Sequence, residues 1–160
     1  MHSKISALRG DDIRKGNEKL VLRLIQQYGT ISQSETVELT GLKAPTILRI
    51  FTNLKNLDLI QISNTKKTEP TVKKGRKPVY FSLNPDALFV IGVEFWSLSA
   101  TVVVSNFTRI PVYSESISLD RDLDGNKVLF KIVELIKNSI TELRISTNQI
   151  IGVGIGAPGR

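Results

Sequence analysis

The chain has no cysteine, one histidine and no long apolar run among its 160 residues. Without cysteine it can form neither a disulfide nor a thiolate zinc site, and His2, next to the terminus, is not expected to bind a metal. No apolar segment approaches the roughly 18 residues of a membrane-spanning helix, and the N-terminus lacks the apolar run of a signal peptide. We therefore expect a cytoplasmic protein without a metal, a cofactor or a membrane partner.

Acidic residues are scarce in the first half of the chain. Residues 1–85 contain fifteen Lys and Arg against seven Asp and Glu, whereas residues 86–160 contain seven against eight. The net charge of +7 therefore arises in the first half. A cationic excess confined to one region is typical of a domain that binds a polyanion. A membrane surface is the competing polyanion, but these cations do not form the polar side of a free amphipathic helix.

The stretch 31–59 predicts two helices joined by a tight turn. Ser32 and Glu35 have the spacing of a capping box at the start of the first helix, and Gly41 is a natural stop for it. The second helix is expected to begin near Ala44–Pro45, because proline is tolerated in the first turn of a helix. The apolar residues that share its core-facing side are Ile47, Ile50, Phe51, Leu54 and Leu57.

The other face of this second helix is small and polar, with one arginine. A helix that reads base edges needs such a face, because bulky side chains would block its approach to the groove. The alternative is the solvent-exposed face of an ordinary helix. The residues on this face are Ala44, Pro45, Thr46, Leu48, Arg49 and Thr52.

A further helix is expected to precede this pair, beginning near Ile13 and ending at Gly29. Its predicted core-facing residues are Leu20, Val21, Leu24, Ile25 and Tyr28. Cations on its other faces either contact phosphates or are merely solvated, and these are Arg14, Lys15, Lys19 and Arg23.

A basic hairpin follows the helix pair. Ile60–Ser63 and Val79–Leu83 are predicted strands, and Thr65–Lys77 is the loop between them. An arginine in an extended segment bounded by glycine and proline can lie along a minor groove, whereas the alternative is a solvated hairpin tip. The loop contains Lys73, Lys74, Gly75, Arg76 and Lys77. Residues 1–84 therefore predict a winged helix-turn-helix domain that binds double-stranded DNA.

Residues 85–160 have a different pattern, which predicts an α/β domain. The expected strands are Leu88–Phe95, Leu98–Val104, Ile110–Leu119 and the fully apolar, buried parallel strand Ile150–Ile155. A helix capped near Asp124 should extend to about Arg144. Its predicted buried stripe is Val128, Leu129, Ile132, Val133, Ile136, Ile140 and Leu143. Three meandering strands, a crossover helix and a parallel strand match the first part of an actin-like or ribonuclease H-like domain, so the whole chain is expected to be α+β.

Four segments resemble the ROK family of repressors, open reading frames and sugar kinases. The resemblance is closest to its transcriptional repressor branch, typified by the xylose and N-acetylglucosamine repressors. The segments are the helix-turn-helix at 30–54, GRKPVYFSLNP at 75–85, VIGVEF at 90–95 and IIGVGIGAPGR at 150–160. The resemblance implies a homo-oligomer that binds a palindromic operator and responds to a sugar. Residues 85–160 would be the incomplete N-terminal portion of the sugar-sensing domain.

The predicted DNA-binding residues fall into three groups. Thr46, Leu48 and Arg49 are the candidates for reading bases, with Pro45 beside them. Gln33, Ser34 and Lys43 are expected to contact phosphates or the backbone near the helix. The hairpin loop from Lys73 to Lys77 supplies the third group. The resemblance also places Gly156, Pro158 and Gly159 in a loop on the sugar side of the second domain.

The sequence departs from the family at several positions. ROK kinases have an Asp-x-Gly-x-Thr-like phosphate motif where this chain has residues 94–98, and the bulk of Phe95 and Trp96 would keep a phosphate away from the backbone. The metal-binding and catalytic segments of the family would lie beyond Arg160. In the DNA-binding module, Asp58 replaces a common glycine. We therefore expect a non-enzymatic repressor of sugar-utilisation genes. The alternatives are a ROK-type sugar kinase and a truncated, non-functional fragment.

Two further patterns in the second half of the chain do not predict a binding site. Gly154–Gly159 fits the G-x-G-x-x-G pattern, but a dinucleotide site needs a helix opening on these glycines and an acidic residue about 20 positions later. Asp120, Asp122 and Asp124 lack the spacing of a calcium-binding loop and are expected to form an acidic turn before a helix.

Overall fold

The computed structural model describes residues 10–63, 78–96, 98–120 and 124–157. They divide into two compact units whose border lies between Asn84 and Pro85. Both units combine helices with a β-sheet, and the second sheet is mixed, so the predicted α+β class agrees with the structure. No helix in the described part of the chain is long and apolar enough to cross a membrane.

The first unit is a set of helices packed on a small antiparallel sheet. Strand β3 lies between β1 and β2. The elements in chain order are α1 (Gly10–Tyr28), β1 (Ile31–Ser32), α2 (Gln33–Thr40), α3 (Ala44–Asn56), β2 (Ile60–Ile62) and β3 (Tyr80–Leu83).

Helix α2 begins and ends through the local interactions that its sequence predicts. The backbone N–H of Ser32 donates to Oε2 of Glu35 at 2.8 Å, and the N–H of Glu35 donates to Oγ of Ser32 at 3.2 Å, which confirms the capping box. At the other end Gly41 has φ 68°, and its N–H donates to the carbonyl of Val37 at 2.9 Å. A left-handed residue at this position favours glycine, so Gly41 is the residue that allows α3 to follow at once.

The core of the first unit joins α1 and α3 to the sheet, and the buried residue of α2 is Thr36. The rings of Phe51 and Phe81 meet edge to face, with centroids 5.0 Å apart. The buried apolar side chains are Val21, Ile25, Ile31, Ile47, Ile50, Phe51, Leu54, Ile60, Phe81 and Leu83. Four of the five residues predicted for the core side of α3 are therefore confirmed.

Some residues predicted to face this core do not. Leu57 is 58% exposed, because α3 has ended at Asn56 and the chain turns away. In α1 burial is complete only at Val21 and Ile25, whereas Leu20 and Tyr28 are substantially exposed. The apolar side of α1 is wider than the surface that the small unit offers to cover it.

Asp58 adopts a left-handed conformation, with φ 57°. Its N–H donates to the carbonyl of Lys55, and the N–H of Leu59 donates to the carbonyl of Leu54, both at 3.0 Å. This is the hydrogen-bond pattern with which a helix ends when glycine occupies the left-handed position. The structure thus gives a reason why glycine suits position 58.

We expect Asp58→Gly to raise the free energy of unfolding by about 0.5–1 kcal/mol, because glycine adopts a positive φ without steric strain. Urea unfolding followed by circular dichroism measures the change. Asp58→Asn is the control and should be nearly neutral, since asparagine also tolerates this conformation. A loss of stability in Asp58→Gly would contradict the prediction.

The second unit is a four-stranded sheet with one helix on one face. The strand order is β6-β5-β4-β7, and β7 runs parallel to β4 as predicted. The elements are β4 (Phe89–Trp96), β5 (Ser99–Asn106), β6 (Pro111–Ser118), α4 (Gly125–Glu142) and β7 (Ile150–Gly156), with a short 3₁₀ turn at Thr147–Gln149. The helix packs on alternate residues of β4 and β5, and the core includes Phe89, Ile91, Val93, Ala100, Val102, Val104, Ile132 and Leu135.

One prediction about this unit is wrong. Strand β7 is not buried: Ile151, Val153 and Ile155 are 62%, 51% and 69% exposed, because β7 is at one edge of the described sheet and α4 lies over β4 and β5.

The predicted stripe of α4 is confirmed in large part. Its members Val128, Ile132, Ile136, Ile140 and Leu143 pack in or against the core, whereas Leu129 and Val133 are exposed. Leu135 and Ser139 are buried in α4 although the stripe did not include them.

Candidate nucleic-acid interface

Helix α3 has one face in the core and the opposite face in solvent. The outward face carries a shallow, open depression, here called the α3 groove, which is lined by Pro45, Leu48, Arg49, Thr52, Asn53 and Asn56. Leu48 is 55% exposed although it is apolar, and Arg49 is the charged residue in this lining. The face is therefore small, mixed in polarity and cationic, as the sequence predicts for a helix that reads a DNA groove.

The connection between α2 and α3 is three residues long, Gly41–Lys43. The N–H of Leu42 donates to Oγ1 of Thr40 at 3.2 Å, and the N–H of Thr46 donates to the carbonyl of Lys43 at 2.9 Å. These bonds hold the turn in one conformation, so the first turn of α3 has a defined direction relative to α2.

Lys43 occupies the N-cap position of α3 without a capping side-chain hydrogen bond. Lysine has no acceptor atom, so it cannot satisfy the N–H groups of the first turn as serine or threonine would. Lys43 is exposed and stands at the positive end of the helix dipole. Both features favour a phosphate at this end of α3.

The structure places the other predicted residues as follows. Gln33 and Ser34 are the first two residues of α2, with Gln33 half-buried and Ser34 exposed. Thr46 is half-buried in the first turn of α3. Gly156 ends β7 and lines an open depression with Gly92, Glu94, Thr101 and Gly154. The remaining predicted residues lie outside the described ranges, namely Lys73, Lys74, Gly75, Arg76, Lys77, Pro158 and Gly159.

Two residues of the groove were missed by the sequence analysis. Asn53 and Asn56 line its far end, and both follow from helical spacing, since positions 45, 49, 52, 53 and 56 recur every three to four residues. Thr52 was placed on the correct face, but its hydroxyl donates to the carbonyl of Leu48 at 2.9 Å. That hydroxyl proton is therefore directed back to the helix.

Asn53 also fastens α3 to α1. Its Nδ2 donates to Oε1 of Glu18 at 3.0 Å, across 35 positions of sequence. The Nε of Arg14 lies 4.0 Å from that same Oε1. This polar contact at the rim of the groove supplements the buried apolar packing between the two helices.

Comparison with known proteins finds relatives that are described as xylose repressors. The chain is 26% identical over 147 residues to the xylose repressor of Caldicellulosiruptor bescii, matching 92% of this chain and 36% of the relative. It is 25% identical over 157 residues to the xylose repressor of Bacillus subtilis, matching 92% of this chain and 37% of the relative. The chain thus spans about a third of the length of these relatives. No protein-family model matches it.

The fold also matches a solved structure. A ROK family transcriptional regulator, described as a homologue of the Escherichia coli MLC protein, superposes with a TM-score of 0.64 and 19% identity, covering 92% of this chain and 36% of that one. At this identity the match establishes the fold. Together with the repressor relatives, it confirms the resemblance to ROK repressors that the sequence predicts.

Proposed function

We propose that this relative of the ROK repressors is a sequence-specific, DNA-binding transcriptional regulator, and that its first unit is a winged helix-turn-helix. The observation that carries the proposal is the division of α3 into two faces. Ile47, Ile50, Phe51 and Leu54 hold one face in the core, which leaves the groove-lining residues exposed on a rigid helix. A rod with this division of faces can enter a major groove without unfolding any part of the unit.

The proposed role of each DNA-binding residue follows from its position on α2 or α3. Arg49 projects from the middle of the exposed face and would donate two hydrogen bonds to a guanine edge, while Leu48 would contact a thymine methyl group. Thr46 and Pro45 lie in the first turn and would approach bases or sugars. Lys43 would contact a phosphate at the start of α3. Gln33 and Ser34 would contact phosphates of the same DNA strand from the start of α2.

The second unit is proposed to be part of a sugar-responsive domain. The support is the fold match and the name of the xylose repressors, which are regulators rather than enzymes by description. Gly156, Pro158 and Gly159 would lie at the sugar, and the whole protein would be a homo-oligomer on a palindromic operator. Because the chain spans about a third of those relatives, these functions are proposed for the whole protein.

Sugar phosphorylation is the alternative function. It would require a phosphate to approach the end of β4, where Phe95 is half-buried and Trp96 is 60% exposed. Indole and phenyl side chains at these positions disfavour the close backbone approach that a phosphate loop needs. Turnover of ATP with common hexoses in a coupled assay would rank the kinase above the repressor.

The test of the proposed function is DNA binding by the full chain at increasing salt. We expect the logarithm of affinity for duplex DNA to fall linearly with the logarithm of salt concentration, because bound cations displace counterions from phosphates. Selection from a random-sequence duplex pool should return a preferred site. Failure to bind duplex DNA even at low salt would remove the proposal.

Arg76→Ala tests the contribution of the hairpin loop, which is inferred from the sequence alone. We expect weaker binding to all duplexes and a salt slope smaller by about 1, as for the loss of one phosphate contact. Lys131→Ala is the charge-matched control, because Lys131 is an exposed residue of α4 in the second unit. Equal slopes for the two variants would show that Arg76 contacts no phosphate.

A further inference from the structure

We propose that the DNA-binding surface continues from α3 onto α1 through Arg14, which lies beside Glu18, the hydrogen-bond partner of Asn53 at the rim of the groove. The inference rests on the proposed DNA-binding function and adds a phosphate contact on a second helix. From its position in the sequence, Arg14 is either a phosphate contact or a merely solvated cation. The contacts between α1 and α3 favour the phosphate contact.

The geometry starts from one carboxylate oxygen. Asn53 lines the groove of α3, and its Nδ2 donates to Oε1 of Glu18 at 3.0 Å. The Nε of Arg14 is 4.0 Å from the same atom. Arg14 and the groove-lining amide therefore converge on Oε1 of Glu18, and the guanidinium group is carried to the edge of the face that is proposed to meet DNA.

The exposure of the two charged side chains differs. The side chain of Glu18 is 20% exposed, whereas that of Arg14 is 53% exposed. Glu18 is thus largely covered and oriented by Asn53, while Arg14 is accessible. A guanidinium group has five N–H donors. Among the described residues Arg14 forms its ion pair through Nε, so its outer donors can reach a phosphate.

The charges of Glu18 and Arg14 also favour a phosphate contact by Arg14. A carboxylate beside a DNA groove repels phosphates, and Glu18 would weaken binding if no cation stood beside it. Arg14 offsets that charge and adds donors with the planar geometry that suits phosphate oxygens. The hydrogen bond between Asn53 and Glu18 joins α3 to α1, and Arg14 offsets the negative charge that Glu18 brings to the proposed interface.

The test compares Arg14→Ala with Arg23→Ala in the full chain. Arg23 lies on the same helix but nine residues later, about two and a half turns, so it projects from the opposite side of α1. The probe is a mixed-sequence duplex of about 30 base pairs, or three helical turns, titrated between about 50 and 200 mM salt.

We expect Arg14→Ala to reduce the steepness of the plot of log affinity against log salt concentration by about 0.9. Between about 50 and 200 mM salt, the variant should therefore lose about threefold less affinity than the wild type. Arg23→Ala should retain the wild-type slope. Arg14→Lys should retain it too, because lysine preserves the charge. A change in base preference is not expected for any of the three variants, since a phosphate contact carries no sequence information.

Equal slopes for Arg14→Ala and Arg23→Ala would overturn this inference, whether both fall or neither does. The proposed function is judged separately by the wild-type chain and by Arg49→Ala. If the wild type binds and Arg49→Ala changes base preference while Arg14→Ala leaves the slope unchanged, only the extension onto α1 fails. If the wild type binds no duplex DNA, both proposals fail.

Discussion

Replacing Phe51 with alanine is expected to lower the free energy of unfolding by about 3–5 kcal/mol, which is the largest effect of any substitution considered. Phe51 is 1% exposed, and its ring contacts Phe81 edge to face at 5.0 Å. Alanine would leave a cavity between α3 and β3 and would remove the ring contact that orients the helix. Urea unfolding of the full chain followed by far-ultraviolet circular dichroism measures the loss.

Leu48→Ala on the same helix is the control for this experiment. Leu48 is 55% exposed on the opposite face, so its truncation should change stability by no more than about 0.5 kcal/mol. The single tryptophan, Trp96, lies in β4, and its fluorescence follows the second unit independently. Equal losses in Phe51→Ala and Leu48→Ala would contradict the two-faced description of α3 on which the proposed function rests.

Arg49→Ala is expected to have the largest effect on recognition. If Arg49 donates two hydrogen bonds to a guanine edge, its loss should weaken binding to the preferred site by about 1–3 kcal/mol and relax preference at one base position. Selection from a random duplex pool, followed by competition between the selected site and single-base variants, measures both effects. Binding to unrelated duplexes should change much less.

Lys55→Ala supplies the matched control for Arg49→Ala. Lys55 is an exposed cation in the last turn of α3, and it does not line the groove. Its removal should lower affinity slightly for every duplex and leave the base preference unchanged. If the two variants select the same site with the same discrimination, Arg49 contacts no base and the recognition assignment is wrong.

The boundaries of the helix pair were predictable because they depend on neighbours within one turn. Ser32 and Glu35 bond to each other across three positions, and Gly41 takes the left-handed conformation that ends α2. Pro45 marks the first turn of α3. Such interactions need no partner from elsewhere in the chain, so spacing alone indicates them.

The candidate site was predictable in part. Leu48 and Arg49 were placed on the open face of α3 from periodicity, and they lie there. Asn53 and Asn56 were not predicted, because the predicted face ended at Thr52. The contact between Asn53 and Glu18 joins residues 35 positions apart, and no local pattern marks it.

By itself, the sequence determined both ends of α2, the first turn of α3 and which half of the chain is cationic. The start of α1 was predicted near Ile13, whereas the described helix begins at Gly10. Only the tertiary structure decided which apolar faces are covered. Leu57 and β7 were both predicted to be buried, and both are exposed. In β7, for example, Val153 is 51% exposed. The physical reason is that hydrogen bonds and caps act within a few residues, whereas burial requires a second surface. Distant segments supply that surface, and here they cover Phe51 and Val102 but leave β7 uncovered.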